Sequence, residues 1–218
     1  MKFSLLPKGR LAGAVGLGAL MSIGFLLEPS TMTANAQSSS QYGVSIIPEW
    51  NEAGELIRPK GFRHTWVYLG SPFTPNALND GAAGFPEYHN VYVQPDAFHA
   101  YRATGEWPEG TMMLKELQLT DREGDEEDGS RYHASGRGYF PGAVNGMDVA
   151  VKDSGRFAES NNWGYFNFGH HAPPYLASAP AAPIEACAQC HIDNEGEEGT
   201  EDMVFINLYR PILTPLPN

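Results

Sequence analysis

The chain has 218 residues, of which 42% are hydrophobic, enough for one domain with a real core. Its formal net charge is −12 at pH 7, which disfavours nucleic acid as a partner because the phosphates would repel the chain. An acidic balance suits solubility and a basic partner protein, although an acidic face is more often a solvated surface alone.

The first residues have the pattern of an export signal. Three basic residues precede an apolar stretch at 11–27 and a small-residue triplet at 34–36, as in a secretory signal peptide. Cleavage is predicted before Gln37, which makes residues 1–36 a signal peptide and leaves a net charge of −14. A retained anchor is the alternative, because the apolar stretch is near the lower limit for spanning a bilayer. We expect a periplasmic protein without a membrane anchor.

Residues 37–50 are predicted to be a polar leader and residues 51–218 the folded domain. Short β-branched and aromatic runs, bounded by Gly, Pro and Asn, predict strands of an antiparallel sheet. The runs are "TWVYLG", "NVYVQ", "TMMLKELQL", "VAVKDS", "WGYFNFG" and "MVFINLY". The predicted fold class is mostly β (α+β), a single antiparallel sheet domain with a few helices.

Two segments have helical patterns. In "PDAFHAYRATG", Pro95 is typical of a helix start and Gly105 of a helix end. Its apolar side is predicted to consist of Ala97, Phe98 and Tyr101. The second helix is predicted from Ile184 to about Asp193 and carries the cysteine motif described next.

The only two cysteines lie in Cys187-Ala188-Gln189-Cys190-His191, which fits C-x-x-C-H, the attachment signature of a c-type haem. Two thiols at this spacing can each add to a haem vinyl group while His191 reaches the iron. A structural zinc site needs about four protein ligands, a thioredoxin-like pair belongs in a βαβ unit, and a structural disulfide needs no histidine. We therefore interpret the motif as a haem c site with His191 as the iron ligand.

The acidic stretches "DREGDEED" and "DNEGEEGTED" are interrupted by glycine and predict solvated loops. Neither has the ligand spacing of an EF-hand, so a calcium site is the weaker interpretation.

Lys115 stands out in the predicted strand "TMMLKELQL". Alternation places Met113, Lys115, Leu117 and Leu119 on one face, and Met112, Leu114, Glu116 and Gln118 on the other. Lys115 thus interrupts the more apolar face. Such a lysine commonly extends its amine to water, whereas a desolvated one has a lowered pKa and a nucleophilic amine.

A series of motifs resembles the cytochrome P-460 family in order and spacing. It consists of "RHTWVYLGSPFTPNALNDG", "FPEYHNVYVQP", "TGEWPEGTMMLKEL", "VAVKDSGRF", "NWGYFNFG", "CAQCH" and "DMVFINLY". The resemblance covers about Asn51 to Tyr209 and implies a mostly antiparallel β fold, a homodimer and one haem c. It also implies a lysine cross-linked to the macrocycle in the members that oxidise hydroxylamine, and "GTMMLKEL" places that lysine at Lys115.

The resemblance implies an enzyme, a hydroxylamine oxidoreductase that forms nitrous oxide through an iron-nitrosyl and passes electrons to a soluble c-type cytochrome. The segment "FPEYHN" matches a part of the family on the distal side of the haem, so Glu87 and His89 are the candidate acid or base there. Phe62, Phe73 and Phe85 are candidates for an aromatic distal wall. The alternative is a cytochrome c′-beta-like protein that binds nitric oxide without turnover, and a third reading is an electron-transfer cytochrome with both axial positions filled.

Overall fold

A five-stranded antiparallel sheet organises the described part of the chain. The computed structural model describes residues 47–122, 126–197 and 200–214, which belong to the compact unit Ser39–Asn218. In chain order the strands are β1 (Leu56–Ile57), β2 (Val67–Gly70), β3 (Tyr88–Val93), β4 (Met112–Thr120), β5 (Arg131–His133), β6 (Gly136–Gly138), β7 (Pro141–Lys152), β8 (Trp163–Gly169) and β9 (Ser178–Ala179). The sheet has the order β2, β3, β4, β7, β8, with β1 paired to β9 and β5 paired to β6.

The helices of the described residues are short. They are α1 (Phe62–Thr65), α2 (Pro95–Thr104), α3 (Ala188–Asp193) and α4 (Arg210–Leu213). Helix α2 begins at Pro95 and ends before Gly105, which is left-handed at φ 79°, as predicted. Its buried residues are Ala97, Phe98 and Tyr101. The mostly β, antiparallel fold class with a few helices is therefore confirmed.

Most of the predicted strands are present. The run "WGYFNFG" coincides with β8, and "TMMLKELQL" gives β4 with a shift of one residue. The runs "TWVYLG" and "NVYVQ" lie largely in β2 and β3, and "VAVKDS" supplies the end of β7. These strands succeed as predictions because β-branched and aromatic residues favour a pleated, half-buried surface.

The strand predicted for "MVFINLY" is wrong. Val204 forms only an isolated bridge with Glu201, and Ile206–Tyr209 is a 3-10 helix. Met203, Ile206 and Tyr209 are all buried, and a spacing of three residues places side chains on one side of a 3-10 helix. The segment therefore packs its apolar residues by helical rather than strand periodicity.

The alternation predicted for β4 holds, and it separates two layers. We call the side of the sheet with Met113 and Lys115 the lysine face, and the side with Met112, Leu114 and Glu116 the glutamate face. Met113 packs with Val91, Val93, Ala150 and Tyr165 in the core over the lysine face.

The core under the glutamate face is the more deeply buried of the two. Met112 and Leu114 are 2% and 0% exposed, whereas Lys115 is partly exposed. Glu116 is buried there and forms an ion pair with Arg63 of α1, as a buried carboxylate requires. Lys115 is the charged residue of its face of β4, as predicted, and Glu116 is the charged residue of the other.

The second acidic stretch was predicted to be a solvated loop, but two of its carboxylates have structural partners. The carboxylate of Glu195 accepts two backbone hydrogen bonds, and Asp202 forms an ion pair with Lys152. In the first stretch, Asp121 pairs with Arg131 at the surface.

The predicted signal peptide, residues 1–36, lies outside the described residues. Among those that are described, no helix is long and apolar enough to cross a membrane.

Candidate functional site

The cysteine motif lies where a 3-10 turn passes into α3. Ile184–Ala186 forms the turn, Cys187 is the residue before the helix, and α3 carries Cys190 and His191. The predicted helix is thus present but broken at Cys187. The cysteines are not joined to each other, so both thiols are available for another bond.

His191 is held in one tautomer by the backbone. Its Nδ1 lies 2.7 Å from the carbonyl oxygen of Met203, and since a carbonyl can only accept, Nδ1 carries the proton. Nε2 is therefore the basic nitrogen, as in a histidine that ligates a metal. The ring contacts those of Tyr165 and Phe205, each with its centroid 4.8 Å away. Burial lowers the pKa of His191, which favours the neutral imidazole.

The cysteine motif lies over the lysine face of the sheet. Tyr165 on β8 contacts His191, and Ile192 of α3 packs against the core over that face. Burial lowers the pKa of His191 and raises that of Cys187, and the positive charge of Lys115 lowers both. Lys115 of β4 is thus close enough for its charge to affect the cysteine motif, although the motif lies some seventy residues further along the chain.

Lys115 has two immediate neighbours. Its Nζ lies 3.0 Å from a carboxylate oxygen of Asp148 and 4.5 Å from the ring centroid of Phe85. Asp148 is directly opposite Lys115 in the pairing of β4 with β7. A carboxylate at this distance can take the proton of the amine.

Asp148 is the site residue that sequence reasoning missed. Its carboxylate also contacts Nε2 of His170, at 2.9 and 3.0 Å. Burial raises the pKa of Asp148, but the hydrogen bond from His170 and the charge of Lys115 outweigh burial and lower it overall. The alternation of "MDVAV" shows that Asp148 interrupts an apolar run, but only the strand register places it beside Lys115.

His89 and Glu87, the predicted distal residues, both lie near this cluster. Burial, together with the charge of Lys115, lowers the pKa of His89 to about 4. Its Nε2 is buried without a hydrogen-bond partner among the described residues. Glu87 accepts a hydrogen bond from Asn145 at 3.2 Å through Oε1, while its buried Oε2 has no partner in the same part of the chain.

The three predicted aromatic residues do not form one wall. Phe85 lies over Lys115 and contacts the rings of His89 and His170, with centroids 5.7 and 5.8 Å apart. Phe62 belongs to the core under the glutamate face, and Phe73 stacks on Tyr88 at 4.4 Å. Phe85 is the aromatic residue among them that borders the candidate site.

These residues fit a c-type haem. The free thiols of Cys187 and Cys190 and the basic Nε2 of His191 are the donors that the group requires. The buried Nε2 of His89 and Oε2 of Glu87, which have no partner among the described residues, could form hydrogen bonds with a bound molecule. Within residues 47–122, 126–197 and 200–214, no cluster of three or more His, Cys, Asp or Glu could hold a metal ion.

Comparison with known proteins gives one family match. The model of the family described as Cytochrome P460 matches residues 59–206, which contain Lys115, Asp148 and the complete cysteine motif. No curated protein matches the chain.

Proposed function

The chain belongs to the cytochrome P460 family, and from this membership we propose that it oxidises hydroxylamine at a covalently attached haem c. Membership implies a haem cofactor and the haem-based oxidation associated with the family. In the proposed reaction two hydroxylamine molecules give one nitrous oxide and one water, with release of four protons and four electrons. The electrons pass singly to an external acceptor.

The pairing of Lys115 with Asp148 on the lysine face carries this proposal. Cys187 and Cys190 would hold the haem through thioethers, and His191 would ligate its iron through Nε2. A haem held in this way would supply a redox-active iron that can bind a small ligand. An amine and a carboxylate 3.0 Å apart, within electrostatic reach of His191 and Cys187, provide a nucleophile and its base.

Lys115 is proposed to form the additional cross-link to the macrocycle. Joining Nζ to a ring carbon releases two protons and two electrons, so an oxidant of the peroxide class is required, which becomes water. Asp148 accepts the proton that leaves the amine. The cross-link would distort the ring, one of the means by which a protein tunes a haem.

The protons of hydroxylamine oxidation need a route to solvent. Asp148 is a carboxylate with a lowered pKa, and His170 contacts both of its oxygens. The side chain of His170 is 39% exposed, so it can pass a proton from Asp148 to water. His89 is neutral near pH 7 because burial holds its pKa at about 4, and its unpaired Nε2 can bind the substrate hydroxyl. We assign the base to Asp148 and substrate binding to His89, with Glu87 beside them.

We further propose that the protein is exported to the periplasm through residues 1–36, is a homodimer, and donates electrons to a soluble c-type cytochrome. The signal-like pattern of the first residues supports export, and the acidic balance supports a basic electron acceptor. The homodimer is proposed from membership of the family alone.

Intact-mass and turnover measurements on Lys115→Ala test the proposal. The wild-type mass should correspond to haem c with one further bond, and Lys115→Ala should retain both thioethers but lose that bond. Hydroxylamine turnover with an artificial acceptor should then fall at least a hundredfold, because the tuned ring is lost. Lys60→Ala, which removes an exposed lysine, is the matched control. A wild-type protein with an ordinary haem c spectrum would contradict the cross-link.

The neighbouring ring of Phe85 favours a second function, binding of nitric oxide without turnover. An apolar aromatic ring beside the site suits a small uncharged ligand. Nitric oxide binding by a protein that shows no steady hydroxylamine turnover would select this function instead.

A further inference from the structure

The residue that contacts Nδ1 of His191 belongs to a turn with unusual backbone angles. Glu201 and Val204 exchange backbone hydrogen bonds of 2.9 and 3.0 Å, and the two residues between them, Asp202 and Met203, have φ angles of 51° and 63°. Positive φ at both central positions defines a type I′ turn, which Asn, Asp and Gly normally occupy. A methionine in this conformation is uncommon and persists only where its surroundings fix it.

Glu195 fixes this turn from the outside. Its Oε1 accepts the backbone N–H of Asp202 at 3.1 Å, and its Oε2 accepts that of Met203 at 2.6 Å. One carboxylate thus binds the amides of both residues with positive φ. Bonds from an amide to a carboxylate are stronger than those to a neutral acceptor.

The core fixes the same turn from the inside. The Asp202 carboxylate accepts hydrogen bonds from Lys152 at 2.6 Å and from Trp163 Nε1 at 3.0 Å. The Met203 side chain is 1% exposed. Between these anchors and Glu195, the backbone of Met203 has little freedom to move.

The turn presents one group to the site, the carbonyl of Met203. This oxygen accepts the Nδ1 proton of His191 at 2.7 Å. A hydrogen bond at this nitrogen fixes the orientation of a ligating histidine and raises its basicity. A more basic imidazole stabilises ferric iron over ferrous iron and so lowers the reduction potential.

We propose that Glu195 is a positioning residue for His191, and that it lowers the reduction potential of the haem by holding the Met203 carbonyl in place. The inference rests on the proposed ligation of the haem by His191. It is independent of whether the substrate is hydroxylamine, because the potential belongs to every haem function of this site.

Three variants of the full-length haem protein test this role. Glu195→Gln keeps one acceptor oxygen but turns an NH₂ group toward the second amide. Glu195→Asp keeps the charge but is too short to reach both amides. Glu197→Gln removes an exposed charge two residues away and is the control.

The measurements are the midpoint potential and the iron–histidine stretch of the ferrous protein by resonance Raman. Glu195→Gln and Glu195→Asp should both raise the potential and lower the stretching frequency. For Glu195→Gln we expect about a tenfold rise in the ferrous-to-ferric ratio at fixed potential, equivalent to about 59 mV for one electron. Glu197→Gln should leave both quantities unchanged.

Two outcomes would overturn the inference. If Glu195→Gln matches Glu197→Gln in potential and frequency, Glu195 does not act on His191. If Glu195→Gln shifts them but Glu195→Asp does not, the negative charge acts rather than the position of the turn. A wild-type protein that does not turn over hydroxylamine would refute the proposed substrate. The Glu195 variants would still be expected to shift the potential.

Discussion

Asp148 is the residue at which the polar contacts of the site converge. It contacts Lys115 from the neighbouring strand and His170 from the loop after β8. These two cationic partners keep its pKa low although burial acts in the opposite direction. A carboxylate held ionised beside an amine and an exposed imidazole is suited to accept protons and to release them to solvent.

Removing the base at Asp148 should lower turnover without removing the haem. In Asp148→Asn we expect the kcat for hydroxylamine to fall about 10²–10⁴-fold, the usual contribution of a general base. Steady-state kinetics measures the loss, and intact mass verifies that both thioethers remain. Asp80→Asn, on an exposed residue, serves as the control. Wild-type turnover in Asp148→Asn would remove Asp148 from the mechanism.

The pairing of His170 with Asp148 should stabilise the fold only at lower pH. The hydrogen bond to Asp148 raises the pKa of His170 above 6.5, against burial and Lys115, and Glu87 contributes in the same direction as Asp148. A raised pKa gives stability that is complete below pH 6.5 and is lost as the pH rises through the folded-state pKa.

Urea unfolding of His170→Gln and wild type at pH 5.5 and 8.5 measures this effect. The variant should be less stable at pH 5.5 by under about 1 kcal/mol, a small value because the side chain is partly exposed, and the gap should narrow at pH 8.5. A gap of the same size at both pH values would show that the pair does not depend on protonation of His170.

At the scale of elements, antiparallel pairing builds the site. The register of β4 with β7 places Lys115 opposite Asp148, and that of β7 with β8 places Ala150 opposite Tyr165, the residue in contact with His191. A slip of one residue in either pairing would turn these side chains to the other face. Packing that fixes β8 therefore also fixes the position of Tyr165 beside His191.

Gly164 of β8 shows how closely this strand is packed. A Cβ atom at Gly164 would lie 2.5 Å from two ring carbons of Phe157. That ring cannot retreat freely, since it packs against Trp50 and Phe166. We expect Gly164→Ala to lower the free energy of unfolding by about 1–3 kcal/mol, the usual cost of overpacking.

Denaturant titration tests this, with a lower midpoint and an unchanged slope as the expected result. Gly84→Ala is the matched control, because a Cβ there has nothing within 4 Å. Equal midpoints for the two variants would mean that Phe157 moves aside at no cost.

At the scale of the whole molecule, the strongly acidic balance should govern electron transfer. The net charge, −12 for the whole chain and −14 without residues 1–36, attracts cationic acceptors and repels anionic ones over roughly the 10 Å that 0.1 M salt leaves unscreened. Net charge affects how fast partners associate, but it does not identify the partner.

Reduction of a cationic acceptor by the haem protein should therefore slow as salt increases. We expect about a tenfold loss of the second-order rate constant between low and high ionic strength, and a gain for an anionic acceptor of similar potential. Stopped-flow kinetics with both acceptors measures the two trends. Rates that do not respond to salt in either case would show that electrons leave through a surface without excess negative charge. Export, the homodimer and the identity of the natural acceptor stay predictions.

The sequence by itself determined the features that reside in neighbouring residues. Cys187, Cys190 and His191 predict a c-type haem because its attachment needs a fixed short spacing. Alternation assigned Lys115 its strand face, and Pro95 and Gly105 bounded α2, because local backbone geometry follows local residue type. The family match over residues 59–206 confirmed the resemblance that these motifs carried.

Only the tertiary structure decided which distant residues meet. Asp148 became a site residue through the register of β4 with β7, and Met203 contributed a backbone carbonyl to His191 from within a segment predicted to be a strand. Glu195 and Asp202 belong to a stretch predicted to be a solvated loop, and their carboxylates hold that turn in place. Such contacts depend on long-range pairing and packing, which residue type and local spacing do not encode.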